Sequence, residues 1–124
     1  MGTSEVGKAA EQLIAEHYVN NGYNILSMNY HSRYGEIDII LQQNITIVFC
    51  EVKFRKQNSL VSGVEAVDIH KQKRLAKTAS LFLEENAPLQ DLHMRFDIAV
   101  VTPLKKEYDV QIIENAFYIE EYWL

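Results

Sequence analysis

The sequence predicts an α/β sandwich: a mixed β-sheet with helices packed against it. Three observations carry that prediction. Segments of helical and strand periodicity follow one another in the order helix, strands, helix, strands. Two consecutive strands in the first half are wholly apolar on one face and half apolar on the other, whereas a surface strand keeps a consistently polar outer face. The 124 residues, 48% apolar and 23% charged, suffice for one domain with a sizeable core. No repeat, low-complexity tract or Pro/Gly/Ser linker divides residues 1–124.

Each element follows from local pattern. Val6, Ala9, Ala10, Leu13, Ile14 and His17 recur at helical spacing, predicting a helix over 4–21. Thr3 or Ser4 can cap its start, and Asn21-Gly22 ends it. Residues 23–29 read as a short edge strand and His31–Gly35 as a polar turn. Strands at 35–41 and 45–54 follow, joined at Gln42-Gln43-Asn44. In the first, Ile37, Ile39 and Leu41 share one face while Glu36, Asp38 and Ile40 share the other. In the second, Val48, Cys50, Val52 and Phe54 oppose Ile47, Phe49, Glu51 and Lys53. Asp38, Glu51 and Lys53 thus sit on strands that read as buried, where ionised groups are costly unless paired or bound to metal. Loop length decides whether Asp38 joins the Glu51 face. An even loop puts them on one side, an odd loop on opposite sides.

Residues 55–63 read as a loop, and a second helix is expected from about Val64 to Glu85. Val67, Leu75, Ala79, Phe82 and Leu83 are its inner residues, and Asn86-Ala87-Pro88 breaks it. Strands at 95–102 and 108–113 flank a turn containing Pro103 and Lys105-Lys106-Glu107. The tail from Ala116 carries Phe117, Tyr118, Tyr122 and Trp123. It is expected to pack as a closing helix or turn, with a dimer contact as the alternative.

Composition excludes several chemistries. A lone Cys50 allows neither a disulfide framework within one chain nor a Cys-rich zinc site, and it lacks an evident His partner. His17, His31, His70 and His93 have no metal-ligand spacing, and no Gly-rich phosphate loop is present. No apolar run is long enough to span a membrane, and no basic-then-apolar leader opens the chain, so a cytoplasmic, non-membrane protein is expected.

The net charge of −5 argues at first against nucleic acid, but the sum conceals its distribution. Residues 53–77 hold seven basic and two acidic side chains, a local net of +5, leaving −10 elsewhere. Arg55, Lys56, Lys71, Lys73, Arg74 and Lys77 form a candidate phosphate-binding surface beside Glu51-Val52-Lys53. A solvated helix face is the alternative.

The acid-x-Lys string is common by chance; its place on an apolar strand, after a partner strand carrying Asp38, adds the information. Two converging carboxylates, Asp38 and Glu51, offer hard oxygen ligands for Mg²⁺. Such an ion activates water and polarises a phosphoryl oxygen. Lys53 would orient the water or neutralise charge developing on the phosphate. Glu11 could complete the shell, although one residue past Ala10 it also reads as a solvated helix glutamate. The competing reading is two ion pairs, Glu51–Lys53 and Asp38–Arg55.

At these residues the chain resembles a known family. Ala10-Glu11-Gln12-Leu13, Gly22-Tyr23-Asn24-Ile25-Leu26, Asn29, Gly35-Glu36-Ile37-Asp38-Ile39-Ile40, Val48-Phe49-Cys50-Glu51-Val52-Lys53-Phe54-Arg55, Glu65-Ala66-Val67, Lys71-Gln72-Lys73-Arg74-Leu75 and Arg95-Phe96-Asp97 occur in the order found in the bacterial YraN-like uncharacterised proteins. That family resembles the PD-(D/E)xK nuclease superfamily, close to archaeal Holliday-junction resolvases. The resemblance implies a restriction-endonuclease-like sandwich, with a central mixed sheet flanked by helices. It assigns metal binding to Asp38, Glu51 and Glu11 and the catalytic lysine to Lys53. Ser32 matches a resolvase serine that precedes the aspartate strand. The family's usual glycine before the helix-one Glu is Ala10 here. The expected activity is Mg²⁺- or Mn²⁺-dependent hydrolysis of phosphodiesters in branched DNA, by a homodimer if the junction is two-fold symmetric. The alternatives are a non-catalytic nucleic-acid-binding or DNA-processing accessory domain, and an interaction module docking through the aromatic tail.

Overall fold

The structure, a computed structural model, describes residues 5–55 and 67–119. Its elements run α1 (Glu5–Asn20), β1 (Asn24–Ser32), β2 (Gly35–Gln43), β3 (Thr46–Phe54), α2 (Ile69–Glu85), a 3₁₀ turn (Ala87–Leu89), β4 (His93–Pro103) and β5 (Tyr108–Ile113). The five strands form one sheet in the order β1-β2-β3-β4-β5. Pairing is antiparallel throughout except between β3 and β4. That parallel pair needs a crossover, which α2 supplies. The expected mixed sheet with helical cover is therefore present.

The helices cover opposite faces. On one, Ala10, Ile14, Ala15 and Tyr18 of α1 bury Ile39, Leu41, Val48, Cys50, Ala99 and Val101. On the other, Leu75, Ala79 and Phe82 of α2, with Val67, bury Ile40, Ile47, Phe49, Phe96, Ile98 and Val100. Phe49 stacks on Phe96 at 5.3 Å, and Phe96 on Phe117 of the tail at 5.1 Å. Burying the Phe49 and Phe96 rings contributes about 1.5–3 kcal/mol each relative to exposure, whereas Phe117 is only partly buried.

α1 is rotated from its expected orientation. Its buried face is Ala10, Glu11, Ile14, Ala15 and Tyr18, whereas Val6, Ala9 and His17 are exposed. The apolar stripe in the sequence is broad enough to fit two faces; the one chosen carries a glutamate inward. The helix ends as expected at Gly22, whose φ of +90° suits glycine. Gly22 and Tyr23 donate their N–H groups to the Val19 and Tyr18 carbonyls, closing the helix end.

β1 is longer than expected and takes in His31 and Ser32, leaving Arg33-Tyr34 as the turn. It is the edge strand predicted. The β2–β3 turn is two residues, Asn44-Ile45, rather than the three at 42–44, since Gln43 pairs with Thr46. Asn44 occupies the left-handed region at φ +53°, which asparagine tolerates. The even loop pairs Ile39 with Cys50, which brings Asp38 and Glu51 together just beyond the ladder. The expected Ile37-Ile39-Leu41 face is not kept: Ile37 joins the α2-side core, whereas Ile39 and Leu41 join the α1 side. α2 begins at Ile69, later than expected, because Asp68 caps it by accepting the Lys71 N–H at 2.9 Å. β4 extends beyond the expected 95–102 at both ends, and β5 matches its expected bounds. In the tail, Phe117 and Ile119 pack on the α2-side core, and the Ala116 N–H donates to the Phe96 carbonyl. The expected caps Thr3 and Ser4, basic Lys56, most of the 55–63 loop, residues 64–66, and Tyr122 and Trp123 lie outside the described residues. No helix among the described residues is long and apolar enough to cross a membrane.

Candidate functional site

The ladder between β2 and β3 ends at Ile39–Cys50. Asp38 and Glu51 are the first residues beyond it, so their side chains stand at a notch between two strands that have ceased to pair. Asp38 turns one oxygen, Oδ2, back to accept the Val52 backbone N–H at 2.8 Å. Glu51 remains tied to the neighbouring strand opposite Ile98 and is buried.

A cleft of about 530 Å³ opens at the notch. Its walls come from both helical layers: Gly7, Ala10 and Glu11 of α1, and Lys71, Arg74 and Leu75 of α2. Glu36, Asp38, Glu51 and Lys53 form its strand-borne wall. The structure thus brings together Glu11, Asp38, Glu51 and Lys53, the four residues singled out for metal binding and catalysis.

It adds two that sequence reasoning did not assign. One oxygen from each of Glu11, Glu36 and Asp38 lies within 4.8 Å of the others. Asn29, directly across from Asp38 on β1, donates from Nδ2 to Glu11 Oε1 and to Glu36 Oε1, each at 2.9 Å. It does so from a left-handed backbone, φ +53°. His31 Nδ1 stands 3.4 Å from the other Glu36 oxygen. The signal for Glu36 was present in the strand alternation, which put it on Asp38's face. Nothing in the sequence marked Asn29 as the donor that gathers two acids.

Crowding perturbs the ionisable groups. The Asp38 carboxyl is pushed well above the usual carboxylate range by burial, reinforced by its hydrogen bond with Glu51 and by Glu51's charge. Burial acts on Glu51 in the same direction, but Asp38 and the positive charges of Lys71 and Lys53 outweigh it and hold Glu51 low. The two carboxyls are thus driven apart, Asp38 toward its neutral form and Glu51 toward its ionised form. Lys53 is lowered by burial and by the adjacent Lys71 ammonium, against the pull of Glu51. Lys71 is raised, because the Glu51 carboxylate overcomes its burial.

Glu51's ion-pair partner is Lys71, with Nζ 2.8 Å from Oε2, rather than the Lys53 expected from strand spacing. The contact is close in distance but off-line, and Oε2 accepts no well-aligned hydrogen bond. Arg74 also lines the cleft, exposed. Lys73 and Lys77 lie along α2 outside the lining, with Lys77 5.3 Å from the Tyr34 ring centroid. Arg55 follows β3, its N–H donating to the Val101 carbonyl at 2.8 Å. Ser32 is not among the cleft residues. Its Oγ accepts the Tyr34 N–H at 3.0 Å and meets Thr78 Oγ1 at 2.9 Å, tying the β1–β2 turn to α2. Cys50 is buried, its thiol raised mainly by that burial, which suits a core residue rather than a nucleophile.

Among the described residues the donor set is all oxygen: four carboxylates in one cleft, with no thiolate and no imidazole lining it. That chemistry suits a hard divalent ion such as Mg²⁺ or Mn²⁺. The Glu51 Oε2 without an aligned partner and the raised Asp38 carboxyl are two features that a cation would relieve.

Comparison with known proteins gives a family. Residues 10–101 match the model of Uncharacterised protein family UPF0102. A UPF0102 protein of Saccharophagus degradans is 40% identical over 118 residues, covering 95% of this chain and 97% of its own. One from Alkaliphilus oremlandii is 40% identical over 114 residues, covering 91% and 97%. Another, from Stutzerimonas stutzeri, is 34% identical over 111 residues, covering 90% and 92%. With matches of this extent along nearly its whole length, the chain belongs to the uncharacterised family UPF0102, the YraN-like family that its motifs resemble.

Proposed function

We propose that this protein is a divalent-metal-dependent nuclease of restriction-endonuclease-like fold, hydrolysing phosphodiester bonds in DNA, with branched DNA as the favoured substrate. The observation that supports this best is the convergence of Glu11, Glu36, Asp38 and Glu51 in one cleft with Lys53, Lys71 and Arg74. Glu11, Glu36, Asp38 and Glu51 would hold Mg²⁺ or Mn²⁺, which when bound lowers the pKa of a coordinated water and polarises the phosphoryl oxygen.

The chain's own groups have distinct tasks. With a cation bound, Asp38 and Glu51 would both serve as ionised ligands. Asn29 fixes the orientation of Glu11 and Glu36, as outer hydrogen-bond partners do for metal ligands. Lys53, whose ammonium is destabilised by burial and by Lys71, is suited to hold or pass a proton at Nζ beside the attacked phosphate. Arg74 and the further basic residues of α2 bind phosphates along the strand. Symmetric cleavage of a two-fold junction would need two copies of the site, hence a dimer.

Incubation with branched, flapped, linear and single-stranded DNA in Mg²⁺ or Mn²⁺ tests this. Cleavage should depend on metal and be lost in Lys53→Ala. Carboxylate-dependent metal binding and DNA binding with no cleavage of any substrate would instead favour the accessory-domain reading.

A further inference from the structure

Glu51 is buried, at the end of a ladder, and beside a second carboxyl. Its charge is met by Lys71, a residue of the other layer, in the first turn of α2. The two ends of Lys71 are held differently. Its backbone is fixed, because the N–H donates to the capping carboxylate of Asp68. Its side chain is one-third exposed, so the ammonium can turn toward the cleft opening. The pairing geometry is also poor, since Oε2 is 2.8 Å from Nζ but takes no aligned hydrogen bond. Lys53 sits against the same ammonium, so two cations crowd one carboxylate.

We propose that Lys71 is a stand-in cation: it neutralises Glu51 until a divalent ion takes its place, and the displaced ammonium then binds a substrate phosphate. This rests on the metal-dependent reading above and adds its regulation. Loading with metal and binding of nucleic acid become cooperative, because the same displacement serves both. By linkage, the factor by which metal tightens DNA is the factor by which DNA tightens metal.

Calorimetric titration with Mn²⁺ alone, on the full chain, tests the first half. Lys71→Met keeps the length of the side chain and removes its charge, so it should bind Mn²⁺ about tenfold tighter than wild type, while Lys71→Arg stays near wild type. Lys77→Met makes the same change in net charge further along α2 and should shift affinity less than twofold. Equal gains in Lys71→Met and Lys77→Met would overturn the proposal, since a general field would then suffice. So would unchanged or weaker binding in Lys71→Met.

The second half is read with fluorescein-labelled branched DNA, with and without Ca²⁺ to avoid turnover. Wild type should gain DNA affinity on adding Ca²⁺, and Lys71→Met should lose most of that gain; retention of the full gain overturns the proposal. Glu51→Gln separates the two levels. Loss of Mn²⁺ binding in Glu51→Gln, with no effect of Lys71→Met, removes the stand-in and leaves the metal site. Wild-type Mn²⁺ affinity in Glu51→Gln removes Glu51 from the metal site, and overturns the stand-in with it, while leaving the Glu11-Glu36-Asp38 group.

Discussion

Two groups of acids are buried in this sheet, and they are treated in opposite ways. Asp97, on β4, is 1% exposed and fully paired. Arg95 grips it with Nε and Nη2, each at 2.9 Å, Tyr18 donates to it at 2.7 Å, and the Asn115 N–H reaches it at 3.2 Å. Arg95 also donates to Tyr23. Every strong partner is satisfied, and the network pins α1, β4 and the tail to one another. The Asp38–Glu51 group has no such closure: the Asp38 carboxyl is pushed up by burial and by its neighbour, and among the described residues Glu51 Oε2 takes no aligned hydrogen bond. A satisfied buried charge reads as architecture. An unsatisfied one, in a cleft, reads as a site waiting for a cation.

The comparison predicts opposite signs for neutralising the two acids. Asp97→Ala should be the more damaging, destabilising by about 3–5 kcal/mol, because Arg95 loses its buried counter-ion. Urea denaturation measures it, and a loss below 1 kcal/mol would undo the contrast. Asp38→Asn should stabilise the metal-free protein at pH 8 by about 1–3 kcal/mol, after allowance for water in the open cleft. The sign follows from linkage. Asp38 is raised from 3.8 to about 9, so the folded state holds the proton more tightly than the unfolded state. Its contribution is therefore complete below pH 4 and is lost as pH rises toward 9. Asp38→Asn should flatten that decline; an unchanged slope of stability against pH would show that the acid pair is not strained.

Smaller effects sharpen the contrast. Asn29→Ala should weaken Mn²⁺ binding about tenfold, as loss of an outer-shell partner commonly does, while leaving the Asp97 network untouched. Equal Mn²⁺ affinity in calorimetry would mean that Glu11 and Glu36 do not need gathering. Ser32→Ala should cost about 1 kcal/mol of stability, through the turn and Thr78, and leave metal affinity as it was. A drop in affinity without a drop in stability would return Ser32 to the functional set.

How much of this was legible in the sequence depends on range. The faces of β3, and of β2 from Ile39 on, were readable because alternation is a local property, and it put Glu51 and Lys53 together; Ile37 departs from it, lying with Ile40 on the α2 side where β2 leaves the ladder. Whether Asp38 joined them turned on one residue of loop length, set by the left-handed Asn44 and invisible to alternation. Glu11 was ambiguous for a different reason. The Val6–His17 stripe allowed a second face, and the rotation that buries Glu11 is favoured by a donor on another strand, Asn29. The Lys53 pairing was inferred from spacing along one strand; Lys71 prevails because α2 crosses above the notch. Asp97 stood in the Arg95-Phe96-Asp97 motif, two residues from its main partner, but its bond to Tyr18, far away along the chain, was not legible.

The order of the strands has a consequence for how the molecule is made. β1, β2 and β3 are joined by consecutive hairpins, so their contacts are local and can form early. The parallel register of β3 with β4 closes only after α2 and its flanking segments have been spanned. All four acids of the cleft lie on α1 and the hairpin strands, whereas Lys71 and the Arg95 that secures Asp97 come later in the chain. If the hairpins form first, the four acids are gathered with Lys53 as their one cleft cation among the described residues of α1 and β1–β3, before Lys71 and Arg74 arrive. Acid pH and divalent ions, by discharging those carboxylates, should speed the step that the rest of the sheet waits for.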